Sequence, residues 1–105
     1  MTNDLQHLLD LLTYRKLNVA ILTVLKDGPL RYTQLHHAVS HNSTGVVHNK
    51  TLTDTLTYLR EQDLVQHHQD EDSADYRLTA GGAKLVDLLA EIERWSRQYR
   101  TSGSP

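Results

Sequence analysis

Between His48 and Arg77 the chain reads HNKTLTDTLTYLREQDLVQHHQDEDSADYR. Leu52, Leu56 and Leu59 recur at helical spacing, so one face of this stretch is a buried helix face. Lys50, Thr53, Asp54 and Thr57 fall on the opposite face. All four are short or hydrogen-bonding side chains. Threonine is compact and either hydrogen-bonds or touches a thymine methyl, and a carboxylate accepts from a cytosine amino group. The chemistry this face can do is therefore the reading of base edges, by Asn49, Thr53 and Thr57 with Asp54 as the acceptor. Arg31 and Lys50 are expected on phosphates, and His48 can donate to a base or a phosphate.

Other chemistries lack their residues. No Ser-His-Asp spacing, phosphate-binding loop or Gly-rich nucleotide turn is present, so no enzyme is expected. Gly81-Gly82 suits close packing at a helix start rather than phosphate binding. Seven histidines include His37 and His41 at i, i+4, a spacing that can chelate, but there is neither cysteine nor a His-Glu-x-x-His pattern. They read as scattered surface histidines; no metal and no cofactor is expected.

A reading helix needs a scaffold. After it, Leu64-Val65 starts an extended run, Asp70 to Asp75 makes a polar turn, and Tyr76-Arg77-Leu78 returns. A helix followed directly by a two-stranded ribbon is how a winged helix-turn-helix meets DNA, with the helix in the major groove and the ribbon along the backbone. Upstream, Asp4 to Leu12 carries Leu5, Leu8, Leu9 and Leu12 at i, i+3, i+4, i+7. Tyr14 to Lys26 follows, with Leu17, Ala20, Ile21, Val24 and Leu25 inward, stopped by Asp27-Gly28-Pro29. Leu30-Arg31-Tyr32 is expected to pair with the base of the wing, and Thr33 to cap a third helix. Ser40 to His48 reads as a loop, with Asn49 capping the recognition helix. Thr51, Thr53, Thr55 and Thr57 are poor helix formers, so tertiary packing of the leucines must hold that helix. Thr79 is expected to cap a last helix from Ala80 to about Tyr99.

The 105 residues suffice for one domain, here residues 1–100 with a disordered tail at 101–105. The fold class is mainly α with a small β wing and helical dimerisation elements at both ends. No cysteine means no thiol redox switch. Neither a signal peptide nor a membrane span is expected, and the location is taken as cytoplasmic. The net charge of −2 requires a DNA-binding face to concentrate its cations locally.

Leu5, Leu8, Leu9 and Leu12, with Leu85, Leu88, Leu89, Ile92, Trp95 and Tyr99, exceed what a small helical core needs. They are read as a homodimer interface, where apolar and aromatic side chains cluster in the buried centre. A cavity edged by Tyr14, Trp95 and Tyr99 would suit an apolar or aromatic effector.

The order of these pieces resembles the HxlR-type winged-helix regulators, relatives of the MarR group. The resemblance covers roughly residues 14 to 96. It rests on Gly28-Pro29-Leu30-Arg31-Tyr32-Thr33-Gln34-Leu35, on Leu52 to Leu59, on Asp63-Leu64-Val65, and on Tyr76 to Gly82. It implies a homodimer of the first and last helices on a pseudo-palindromic operator in double-stranded DNA, with Arg31, Lys50, Thr53, Thr57 and Arg77 near the duplex. A repressor is the expected sense. There are departures: no cysteine near the N-terminus, a longer loop before the recognition helix, and an acidic wing tip at Asp70-Glu71-Asp72 with Asp75. Asp63 stands where the family usually has glycine, so a left-handed helix end must be adopted by Asp. The acidic wing leaves a second reading open, a protein-interaction module or antagonist of another regulator, and an Arg77 pair with Asp75 or Asp72 would compete with DNA.

Overall fold

A computed structural model describes residues 6, 16–41 and 46–101, the last two by their backbone alone. The expected first helix, with Leu5, Leu8, Leu9 and Leu12, lies outside the described residues, as does Tyr14. Helix α1 spans Lys16–Val24 and tightens into a 3-10 turn, Leu25–Asp27. Gly28 ends it at φ 141°, donating its N–H to the Leu25 carbonyl, so the Asp-Gly-Pro stop acts as read. Helix α2 spans Tyr32–His41 and α3 Asn49–Glu61; β1 (Val65–Gln69) and β2 (Ala74–Leu78) form the wing; α4 spans Ala80–Trp95.

Ile21 and Leu22 of α1 and Leu25 of the turn after it meet Leu35 and Val39 of α2, Leu52, Leu56 and Leu59 of α3, Val65 of β1, and Leu85 and Val86 of α4 in one core. Four helices and the start of β1 thus bury side chains in it, which is how a threonine-rich α3 is held. Asn18 is also fully buried in α1. The wing is antiparallel, Val65 opposite Leu78 and His67 opposite Tyr76. Leu30 and Tyr76 exchange both backbone bonds, at 3.0 and 2.8 Å, so the chain before α2 does pair with the base of the wing.

The helix ends correct several expectations. Thr33 does not cap α2. Arg31 stands at that position, and its N–H donates to Gln34 Oε1 at 3.0 Å, half of a capping box. Asn49 does not cap α3; His48 does, without a side-chain bond, and Asn49 is the first helical residue. The last helix is regular to Trp95 and widens into a π turn over Ser96–Thr101. Asp75 belongs to β2 rather than to the turn.

The exit of α3 is the joint of the molecule. Leu64 N–H donates to the Leu59 carbonyl and Asp63 N–H to that of Arg60, both at 3.0 Å. These are the two bonds of a Schellman end, with Asp63 in the left-handed position at φ 60°. Asparagine and aspartate tolerate that conformation without glycine, as the sequence required. The Thr79 hydroxyl donates to the Asp63 carbonyl at 2.6 Å and accepts from Gly82 N–H at 3.0 Å, capping α4. One side chain therefore fastens the end of α3 to the start of α4. Replacing Thr79 by Ala should cost about 1–2 kcal/mol in a urea titration, and Thr79→Ser should restore most of it.

Candidate nucleic-acid interface

Two helices, α2 and α3, hold the outward face. The segment entering α3 is anchored by α2 side chains. Val47 N–H donates to Ser40 Oγ at 3.3 Å, and its carbonyl is 2.6 Å from His36 Nε2. His36 stacks on Tyr32 with ring centroids 6.3 Å apart. The Tyr32 hydroxyl in turn reaches Asn49 Oδ1 at 3.0 Å and the Asn49 carbonyl at 3.3 Å, with Thr53 Oγ1 at 3.5 Å. The residues on both sides of His48 are therefore pinned to α2. His48 itself is exposed.

On α3 the structure brings together Asn49, Lys50, Thr53, Asp54 and Thr57, all exposed, on the side opposite Leu52, Thr55, Leu56 and Leu59. Thr57 donates its hydroxyl proton back to the Thr53 carbonyl at 3.0 Å. It therefore presents its methyl and lone pairs outward, fit to accept or to touch a thymine methyl. Arg60 continues the same stripe at i+3 from Thr57 and is exposed. Among the described residues it makes no ion pair. The sequence reading missed it, although the 49, 53, 57, 60 spacing carried the signal. Arg31 and Thr33 are exposed at the start of α2.

The cations differ in their commitments. Lys50 Nζ lies 3.0 Å from Asp54 Oδ2, with side chains 86% and 63% exposed. An exposed i, i+4 pair is worth only about 0.3–0.5 kcal/mol, so a phosphate displaces it readily. Arg77 is held harder. Its Nε and Nη2 meet both Asp75 oxygens at 2.9 Å. Residues two apart on a strand share a face, and both side chains are largely covered. The guanidinium keeps the Asp75 carboxyl below the usual carboxylate range, and Asp75 raises Arg77 in turn. A carboxylate lowered on folding stabilises above its ordinary value and loses that contribution only as pH falls through the acidic range. Near-neutral pH changes therefore do not release Arg77.

Half of the wing's acidity is structural. Asp70 Oδ1 accepts from the N–H groups of Asp72 and Ser73 at 3.1 and 3.0 Å, closing the turn. Those backbone bonds lower the Asp70 carboxyl. Asp75 serves Arg77, which leaves Glu71 and Asp72 exposed at the tip.

The apolar residues of α4 divide in two. Leu85 is buried in the core with Val86, and Leu89 packs against it. Leu88, Ile92, Trp95 and Tyr99 are 47%, 51%, 55% and 58% exposed. Their spacing of four, three and four residues makes one continuous outer stripe. Trp95 and Tyr99 rings lie 5.9 Å apart on it. A cavity of about 270 Å³ between α1 and α4 is lined by residues such as Thr23, Leu89 and Arg97 and includes neither aromatic. His37 and His41 stack at 6.2 Å. Among the described residues no three His, Asp or Glu side chains gather as a metal site. None of the described helices is long and apolar enough to cross a membrane.

The chain matches the HxlR-like helix-turn-helix family over residues 12–104. No curated protein matches it significantly. Among solved structures it resembles the transcriptional repressor BigR from Xylella fastidiosa, at 23% identity and a TM-score of 0.71, over 99% of this chain and 91% of that one. It also resembles diamide-treated YodB from B. subtilis, at 24% and 0.72, over 94% and 95%. A third is the putative regulator ytfH from Salmonella typhimurium, at 24% and 0.66, over 92% and 84%. At these identities the likeness is one of fold.

Proposed function

The chain belongs to the HxlR-like helix-turn-helix family, a family of transcriptional regulators and not of enzymes, and from that premise we propose that it is a homodimeric repressor. Each protomer lays α3 in the major groove of one half of a pseudo-palindromic operator. Asn49, Thr53 and Thr57 face bases, and Asp54, once released by Lys50, accepts from a cytosine amino group. Arg31, Lys50 and Arg60 meet phosphates, with Thr33 and His48 beside them. The observation that carries this reading is the exposed polar stripe of α3, braced at its N-terminus by α2 and flanked by a wing.

The outer stripe Leu88, Ile92, Trp95 and Tyr99 supports the dimer, since a contiguous apolar face on a single chain calls for a cover. Two recognition helices then sit about 34–36 Å apart, one turn of DNA. An apolar or aromatic effector binding beside Trp95 and Tyr99 would act by favouring one spacing of the helices. The Arg77–Asp75 pair favours a second reading, a winged-helix interaction module with little DNA affinity.

Titrating a fluorescent duplex from the region upstream of its own gene, at several salt concentrations, separates the two. Repressor binding gives a steep fall of affinity with salt. Arg31→Ala and Lys50→Ala each weaken all sequences and lower the salt slope by about 1. Absence of binding at low salt by a folded dimer would favour the interaction module.

A further inference from the structure

The cleft between α1 and α4 has no part in the proposed contacts with DNA or with a second copy. Its floor is apolar: Val19 of α1 lies against Val86, Leu89 and Ala90 of α4. Val86 is buried and the other three are half-buried. Its rim is charged and exposed, with Lys26 from the turn after α1, Glu93 and Arg94 from α4, and Arg97 from the π turn. Three cations thus share the rim with one carboxylate, in a chain whose net charge is −2. That carboxylate is committed to Arg97, whose Nη1 lies 2.7 Å from Glu93 Oε1. Among the described residues Lys26 and Arg94 make no ion pair. Thr23, also at the rim, spends its hydroxyl proton on the Val19 carbonyl at 2.8 Å. The side-chain donors left for a ligand are therefore cationic.

We propose that this cleft is a binding site for a small organic carboxylate with an apolar body, such as an aromatic acid. The body covers the floor, and the carboxylate takes charge-assisted hydrogen bonds from Lys26 and Arg94 at the rim. At about 270 Å³ the cleft lies just under the range usual for drug-sized ligands, roughly 300–1,000 Å³, so its occupant is small. An inorganic anion would leave the floor wet, and a neutral aromatic would leave both cations without a counter-charge. Only an amphipathic anion meets floor and rim together. The two walls belong to different helices, and α4 is fastened to the end of α3 through Thr79 and carries the outer apolar stripe. A ligand that bridges α1 and α4 prefers one separation of them, and so one placement of that stripe relative to α3. This consequence for DNA rests on the repressor reading, since a ligand shifts an equilibrium only by its differential affinity for the two states. Binding itself does not rest on it.

Titrating the full chain with benzoate, followed by amide and indole NMR shifts, tests the site without DNA. Shifts should gather on residues 19–26 and 86–97, with the Trp95 indole on the outer face unmoved. Acetate lacks the body and benzyl alcohol lacks the charge, and each should bind at least about tenfold more weakly. Arg94→Gln and Lys26→Gln should each weaken benzoate about tenfold with Tm unchanged, since both side chains are exposed. Ala90→Leu, which fills the floor, should abolish binding. Shifts centred on the Trp95 indole, or full binding by both rim variants, would overturn the assignment. Acetate or benzyl alcohol binding as tightly as benzoate would overturn the ligand class. Anisotropy with the upstream duplex is a separate arm. Benzoate, against acetate at equal ionic strength, should shift the wild type's DNA affinity about fivefold or more and that of Arg94→Gln far less. Unchanged affinity would overturn the link from cleft to DNA. If the wild type does not bind the duplex at all, the repressor reading fails, while the benzoate titration still decides the site.

Discussion

Gly82→Ala should be the most damaging small substitution in the chain, while Gly81→Ala beside it should be harmless. A Cβ on Gly82 would collide with the Leu64 carbonyl oxygen, would stand 3.0 Å from the Leu64 carbonyl carbon, and would press on the Leu78 side chain at 3.3 Å. The obstacles are chiefly backbone, which does not swing aside. That carbonyl also accepts from Thr79 N–H at 3.1 Å, so moving it breaks a bond at the base of the wing. Overpacking of this kind costs typically 1–3 kcal/mol, and an immovable backbone puts this case near about 3. For a domain this size that is a fall in Tm of roughly 10 °C or more. A Cβ on Gly81 meets nothing nearer than 3.8 Å. Alanine there should stabilise by up to about 0.5–1 kcal/mol through its helix preference. Thermal unfolding of the pair checks this, and equal effects would contradict the packing argument.

The second large effect is on binding. Ile92→Asp should leave the protomer folded, since this side chain is half exposed and outside the core. It should split the proposed dimer, because a carboxylate in an apolar interface must be desolvated without a partner. A protomer alone holds one half-site. Losing the linked second site lowers operator affinity by about 100-fold or more, with no direct DNA contact touched. Light scattering gives the mass and anisotropy the affinity. Trp95→Ala should act in the same direction. A monomer that binds the operator as tightly as wild type would place the functional unit in the single chain.

How much of this was legible in the sequence follows from the range of each interaction. The helix stop at Gly28, the Thr79 cap, the left-handed Asp63 and the close packing at Gly82 were readable because each is a local demand on one residue type. The caps of α2 and α3 were misplaced by one or two residues. Side-chain preference favours Thr and Asn there, but the bond that Arg31 N–H donates to Gln34 Oε1 and the pinning of Val47 set the boundaries instead. Leu85 and Leu88 look alike in a list of leucines, and only the packing direction of α4 sends one to the core and the other to the outer face. The Tyr32–Asn49 contact spans 17 positions, and no spacing rule reaches that far. Asp75 read as turn acidity because the point where the turn ends and β2 begins is set by the pairing of β2 with β1, a property of the hairpin.

The central claim is that α3 enters DNA. Amide hydrogen exchange on the full chain, with and without its upstream duplex, tests it most directly. Entry of α3 predicts protection concentrated in residues 46–57 and the start of α2, with α4 unchanged by DNA. Protection of the wing or α4 while residues 46–57 exchange as in the free protein would contradict it.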